Sequence, residues 1–217
     1  MGRQADIDRT RDYVRARLAG EATGHDWWHT HRVWRTAVSL ARQEGADLYV
    51  VQLAALLHDV ADWKFHNGDE DVGPQTAASW LRSIALDERT IAHVAEIIRD
   101  ISFKGAGVPT PMRTREGEVV QDADRLDALG AIGIARAFAY GGYRGQPLHD
   151  PEAAPFMADS AESYKTHRGS TRNHFPEKLL LLADRMHTET ARRIARERHA
   201  FMEQFLAQFD AEWDGEA

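Results

Sequence analysis

Histidine and aspartate stand side by side in this chain where a helical pattern calls for apolar residues. The pair His58-Asp59 follows directly on the apolar run Leu53-Ala54-Ala55-Leu56-Leu57. No Arg or Lys stands within a turn before Asp59, so nothing local offsets the several kcal/mol that an unpaired buried carboxylate costs. On a helix, Val51, Ala55, His58 and Asp62 share one face, and Asp59 lies about 100° round from His58. Two neighbouring side chains at that angle can straddle one ion. His29 shares a face with Val33, Thr36 and Leu40, and Asp124 and Asp127 share one with Val120 and Ala131. Three predicted helices thus each offer an inward His or Asp.

Taken singly, His29 or His58 reads as a hydrogen-bonded core residue; together with the carboxylates they read as ion ligands. Two imidazole nitrogens and two carboxylate oxygens suit Mn²⁺, Fe²⁺, Zn²⁺ or Mg²⁺. On an octahedral ion such a set leaves two positions for water and substrate. The ion would lower the pKa of its water, giving a hydroxide nucleophile, and polarise a phosphoryl oxygen. Other chemistries fail on residue type or spacing. With no cysteine, thiolate zinc, iron–sulfur clusters and cysteine nucleophiles are excluded. There is no His-Glu-x-x-His and no phosphate-binding Gly-x-x-x-x-Gly-Lys-Ser/Thr. Asp69-Glu70-Asp71 lacks the glycine and glutamate of a calcium loop, and Gly141, Gly142 and Gly145 follow a helix rather than a strand.

The elements that position these residues are helical throughout. Apolar periodicity predicts helices over about 5–18, 26–44 and 47–62, the first two ending at Gly20 and Gly45. Pro74 suits the first position of a fourth helix, and Asp87 the N-cap of a fifth with the stripe Ile91, Val94, Ile98, Ile101. A sixth is expected over 118–140, with Gly130 and Gly133 marking a close approach by another helix. From Pro176 one long helical stretch runs toward Trp213, with Leu179, Leu182, Met186, Phe201, Phe205 and Phe209 on its buried side. Irregular loops are expected over 102–116 and 141–159. The 217 residues form one all-α domain in this reading, with a metal-binding core over about 20–140 and C-terminal helices over 155–213 completing the pocket.

A net charge of −7 argues against a broad DNA- or RNA-binding surface but leaves room for a small anion held by local cations. Apolar runs reach only five residues and the start is polar, so neither a membrane span nor a signal peptide is expected, and a cytoplasmic location follows as the default.

The order of His29 in His29-Thr30-His31-Arg32-Val33, the doublet His58-Asp59, and Asp124 in Asp122-Ala123-Asp124-Arg125-Leu126-Asp127 resembles the HD-domain metal-dependent phosphohydrolase superfamily. The resemblance runs over about residues 20–190. Within the superfamily the chain is similar to the small stand-alone bacterial (YpgQ-like) branch. That similarity lies in Gly24-His25-Asp26-Trp27-Trp28-His29, in Leu57-His58-Asp59-Val60-Ala61-Asp62-Trp63-Lys64-Phe65, in Ile101-Ser102-Phe103-Lys104-Gly105 and in the segment from Val120 to Gly133.

The resemblance implies a helical bundle of the HD type and four metal ligands, His29, His58, Asp59 and Asp124, with His31 and Asp122 as fallbacks. It implies one divalent ion (Mn, Mg, Fe, Co or Zn, with Mn favoured). A second metal would draw on His66 and His93. Asp62 matches the acidic position that orients or deprotonates the attacking water. Lys64 would join it in catalysis, and Lys104, like Lys64, could meet phosphate as a point charge. Arg32 and Arg125 could hold phosphates bidentately, or pair with Asp26 and Asp127. His174 and Lys178, one turn apart, resemble a family segment that closes the pocket. The implied activity is hydrolysis of nucleotides, such as a nucleoside triphosphate to monophosphate and pyrophosphate, or of a related phosphate ester. The alternatives are a non-catalytic nucleotide- or metal-binding sensor and a cyclic (di)nucleotide phosphodiesterase. A homodimer through the Phe201, Phe205, Phe209 stripe is a further expectation.

Overall fold

A computed structural model describes residues 2–20, 26–61, 69 and 71–216, the side chain of Lys165 aside. The described residues are helical with no strand, in the all-α class that the periodicity predicts. The chain forms two compact units. The first comprises Met1–Ser102 and Thr110–Asp124, the second Phe103–Pro109 and Arg125–Ala217.

The first unit is built from α1 (Arg3–Arg17), α2 (Trp27–Glu44), α3 (Leu48–Leu57), α4 (Val72–Ser83), α5 (Glu88–Asp100) and α6 (Arg115–Asp127), whose last residues, Arg125–Asp127, belong to the second unit. Helix α3 packs against α1, α2 and α5, and α4 against α5. Its sequence is apolar all round, as a central helix requires: Val50, Val51 and Leu53 through Leu57 are all buried. Aspartates start the neighbouring helices. Asp26 accepts from the His29 amide at 2.8 Å, Asp47 from Tyr49 at 2.8 Å and Asp87 from Thr90 at 3.0 Å. Gly45, in the left-handed region at φ 71°, ends α2 where expected.

Several predicted boundaries move. Helix α3 stops at Leu57 rather than running to Asp62, so His58 is its C-cap and Asp59 lies in the following turn. Two side chains take over there. His58 Nδ1 bonds the Ala55 carbonyl at 2.9 Å, and Arg17 Nε donates to the Val60 carbonyl at 2.9 Å. Pro74 sits in the third position of α4, not the first. Helix α6 begins at Arg115, inside the expected loop.

The second unit contains α7 (Gly130–Tyr143), α8 (Ala161–Thr166), α9 (His174–Glu177), a 3-10 helix (Leu179–Arg185) and α10 (Glu189–Trp213). The single helix expected over 118–140 is two, because Gly130 takes φ 72° and breaks the run. A side chain at Gly133 would collide with the Ala128 carbonyl of the chain's own turn, whereas the close approach by another helix is met at Gly130. At Gly130, an added Cβ would also press on Arg198 at 3.1 Å.

The long stretch expected from Pro176 is likewise divided. Thr188 caps α10 by accepting from the Ala191 amide at 3.3 Å, after an extended residue at Met186. Phe205 and Phe209 meet Phe138 with ring centroids 5.9 and 5.8 Å apart, whereas Phe201 is exposed, against the expected stripe. No described helix is long and apolar enough to cross a membrane.

Candidate metal centre

Four side chains from three helical regions of the first unit converge. His29 enters from the first turn of α2, where the Asp26 cap holds its amide, and it is fully buried. His58 and Asp59 come from the end of α3. Asp124 comes from α6, whose register is fixed by the fully buried Gln121: its amide donates to the Asp100 and Ile101 carbonyls at 3.3 and 3.0 Å. At the start of α6, Glu116 accepts from the Asp47 amide at 2.8 Å, and Arg115 pairs with Glu44.

His29 Nε2 lies 3.2 Å from Asp59 Oδ2, 3.4 Å from Asp124 Oδ1 and 3.3 Å from His58 Nε2. His58 Nε2 lies 3.3 Å from Asp59 Oδ2 and 3.8 Å from Asp124 Oδ1. Ligand atoms of His29, His58 and Asp59 all fall within 4.8 Å of one another. The Ala55 carbonyl can only accept, so Nδ1 of His58 carries a proton and Nε2 faces the cluster. A hydrogen bond of this kind fixes the tautomer that a metal-binding histidine needs.

The electrostatics favour positive charge here. Burial opposes protonation of His58, but the charge and hydrogen bond of Asp59, with the charge of Asp124, outweigh it and raise its pKa. Partial burial resists ionisation of Asp124, yet the His29 hydrogen bond and the charges of His58 and His29 hold its carboxyl well below the usual range. Carboxylates that draw protons onto neighbouring imidazoles form a set that a dication fits, since metal and proton compete for the same nitrogens. The two-nitrogen, two-oxygen donor set suits a borderline or hard divalent ion.

The other expected residues are placed as follows. Asp62, Trp63, Lys64 and His66 lie outside the described residues. Arg32 is half-buried on α2, and Lys104 half-buried in the segment after α5. Arg125 is buried, with its guanidinium donating to the Arg185 carbonyl and lying 3.4 Å from His187 Nε2, while Asp127 pairs with Arg136 at 3.0 Å. His174 and Lys178 are half-buried at either end of α9. His31 does not join the cluster: its ring lies among Trp27, Trp28 and Trp34, with centroids 5.6 to 5.9 Å away. Asp122 is fully buried. His93, the candidate for a second metal, bonds Thr114 Oγ1 at 2.9 Å.

Sequence reasoning missed the residues that support the donors: Ala55, Gln121 and Arg17. Ala55, three residues before His58, left a readable signal in its spacing. The other two act through contacts distant in sequence and left none.

The HD domain family model matches residues 27–129. The uncharacterized protein YpgQ of Bacillus subtilis (strain 168) is 37% identical over 210 residues, covering 96% of this chain and 94% of that protein. Among solved structures, a Lactobacillus plantarum protein superposes with a TM-score of 0.87 at 38% identity, covering 99% of this chain and 100% of that one. An HD-superfamily hydrolase from Bacillus thuringiensis gives 0.76 at 43%, covering 98% and 99%. Bacillus subtilis YpgQ in complex with ADP gives 0.72 at 35%, covering 97% and 100%.

Proposed function

Because this chain belongs to the HD-domain family, we propose that it is a metal-dependent phosphohydrolase acting on a nucleotide. The observation that carries the reading is that the facing Nε2 atoms of His29 and His58 each lie 3.2 to 3.8 Å from carboxylate oxygens of both Asp59 and Asp124. These four would hold one divalent ion, Mn²⁺ in the first instance. When bound, it would supply Lewis-acid polarisation of a phosphoryl oxygen and a more acidic water. The ADP complex of YpgQ, a relative 35% identical, supports a nucleotide as the substrate.

In the reaction proposed, water oxygen bonds to the α-phosphorus of a nucleoside triphosphate while the bond to the bridging oxygen breaks. Monophosphate and pyrophosphate result. Asp62 orients the water and accepts its proton. Lys64 stabilises the charge that develops on the phosphoryl oxygens. Arg32, Lys104, Arg125, His174 and Lys178 are assigned to the substrate phosphates. These assignments rest on the family motif. The two part-buried bonds of Arg125 leave only part of its fork for a ligand.

The test is a panel of nucleoside tri-, di-, mono- and cyclic phosphates with Mn²⁺, Mg²⁺ or Co²⁺, with products identified. Pyrophosphate plus monophosphate is expected, with metal and turnover both lost in Asp59→Ala, and metal kept but rate lost in Asp62→Ala. Nucleotide binding without turnover under any metal would replace the enzyme with a sensor. Turnover of cyclic substrates alone would make it a phosphodiesterase.

A further inference from the structure

The second unit holds an arrangement of charge separate from the four metal donors. Segment 103–109 is fastened to the residues before α8 by its glycines. Gly105 takes φ 124°, and a Cβ there would meet the Ser160 and Ala158 carbonyl oxygens at 3.2 and 3.4 Å. The Gly107 amide donates to the Ala158 carbonyl at 3.1 Å, and a Cβ on Gly107 would press on Asp159 Cα at 3.2 Å. Arg185 adds to the fastening by donating to the carbonyls of Gly105, at 3.3 Å, and Ala106. Tyr164 is set by the start of α8, where Ser160 and Ser163 form a reciprocal capping box and the Tyr164 amide donates to the Ser160 carbonyl at 3.1 Å. Phe103 and Tyr164 consequently meet edge to face, centroids 5.2 Å apart and planes at 73°.

Lys178, at the end of α9, brings its Nζ to 5.3 Å from the Phe103 centroid and 5.9 Å from that of Tyr164. Among the described residues, its ammonium forms no ion pair and no hydrogen bond. Arg185 also lies over Phe103, at 5.0 Å, but its N–H groups are committed to the Gly105 and Ala106 carbonyls. A carboxylate partner would cancel the lysine's charge. A ring face attracts the cation through its quadrupole and fixes its place while leaving the charge intact.

We propose that Phe103 and Tyr164 are positioning residues that hold the Lys178 ammonium, uncompensated, to receive a phosphate group of the substrate's polyphosphate chain. This rests on the nucleotide-hydrolase reading and deepens it by assigning how one of its cations is presented.

The test replaces Phe103 with mono-, di- and trifluorophenylalanine, which keep the ring's shape while draining its negative face. Two quantities are read: KM for ATP with Mn²⁺, and the affinity for inorganic tripolyphosphate in EDTA, which needs neither metal nor turnover. Lys178→Met should raise KM and weaken tripolyphosphate binding about tenfold, with metal content unchanged. Fluorination should move both quantities in graded steps at constant Tm, and should do nothing in the Lys178→Met background. Tyr164→Phe should bind as the parent does, and Tyr164→Leu should bind less well.

A flat fluorine series overturns the proposal. So does a series still graded in Lys178→Met, since the effect would then run through Arg185. If no nucleotide is turned over but tripolyphosphate binding follows the series, the hydrolase reading fails and the positioning role stands. If the parent protein does not bind tripolyphosphate, the proposal fails whatever the turnover.

Discussion

The two histidines of the centre each have a neighbour that fixes their direction. His58 relies on the Ala55 carbonyl three residues before it, and His29 on the Asp26 cap three residues before it. Removing that cap tests the dependence at the scale of one residue. Asp26→Ala should cost about 1 kcal/mol, a fall of about 2–4 °C in Tm for a chain of this size. It should weaken Mn²⁺ binding as the first turn of α2 frays, and Asp26→Asn should retain both properties. Thermal unfolding in EDTA alongside an Mn²⁺ titration checks this. An affinity unchanged in Asp26→Ala would show that His29 holds its direction without the cap. The clustering of His29, His58 and Asp59 was legible because polar residues stood at apolar positions in a recurring order. The choice of His29 over His31 was not legible from periodicity alone. In space, three tryptophans lie about the His31 ring, while His29 faces His58 and Asp59.

Elements were legible where caps are local and lost where a tertiary contact ends a helix. Asp26, Gly45, Asp47 and Asp87 marked true boundaries, since the hydrogen bonds that fix them lie within four residues. The end of α3 depends on Arg17, which reaches its target carbonyl across 43 positions, and no window of sequence contains that bond. The break at Gly130 was missed because two glycines in a helical pattern fit a close crossing as well as a turn, and Gly130 serves both, with φ 72° and Arg198 of α10 against it. In the second unit, Arg172 ties α10 by two bonds to Asp210, at 3.0 and 2.7 Å. The hydrogen bond from Arg172 holds the Asp210 carboxyl below its usual range against the opposing effect of burial, and the Arg172 charge helps. A depressed carboxylate stabilises the fold above the unfolded pKa of about 3.9 and loses that contribution as pH falls through the folded value. Asp210→Asn should therefore be less stable than the parent at pH 7, with the gap closing as pH falls below about 4. Tm measured from pH 7 to pH 3 reads this directly, and a gap that stays constant would show that the pair contributes nothing through ionisation.

Across the whole molecule, composition excluded more than it identified. The absence of cysteine removed thiolate chemistry, the acidic balance argued against a broad polymer-binding surface, and the helical period gave the all-α class. The division into two compact units was not visible, because its boundary falls inside α6 and not in a linker. All four proposed metal donors belong to the first unit, although they are spread along the chain from residue 29 to residue 124. Binding there adds folding free energy by mass action, about 2.7 kcal/mol at a hundredfold excess over Kd. Equilibrium dialysis against Mn²⁺ followed by elemental counting of the bound ion, on the parent and Asp59→Ala proteins, tests the central claim most directly. The account predicts one ion per chain in the parent, removed by a chelator with a drop in Tm, and essentially none in Asp59→Ala. A parent chain that takes up no ion, or an Asp59→Ala chain that keeps its ion, would contradict it.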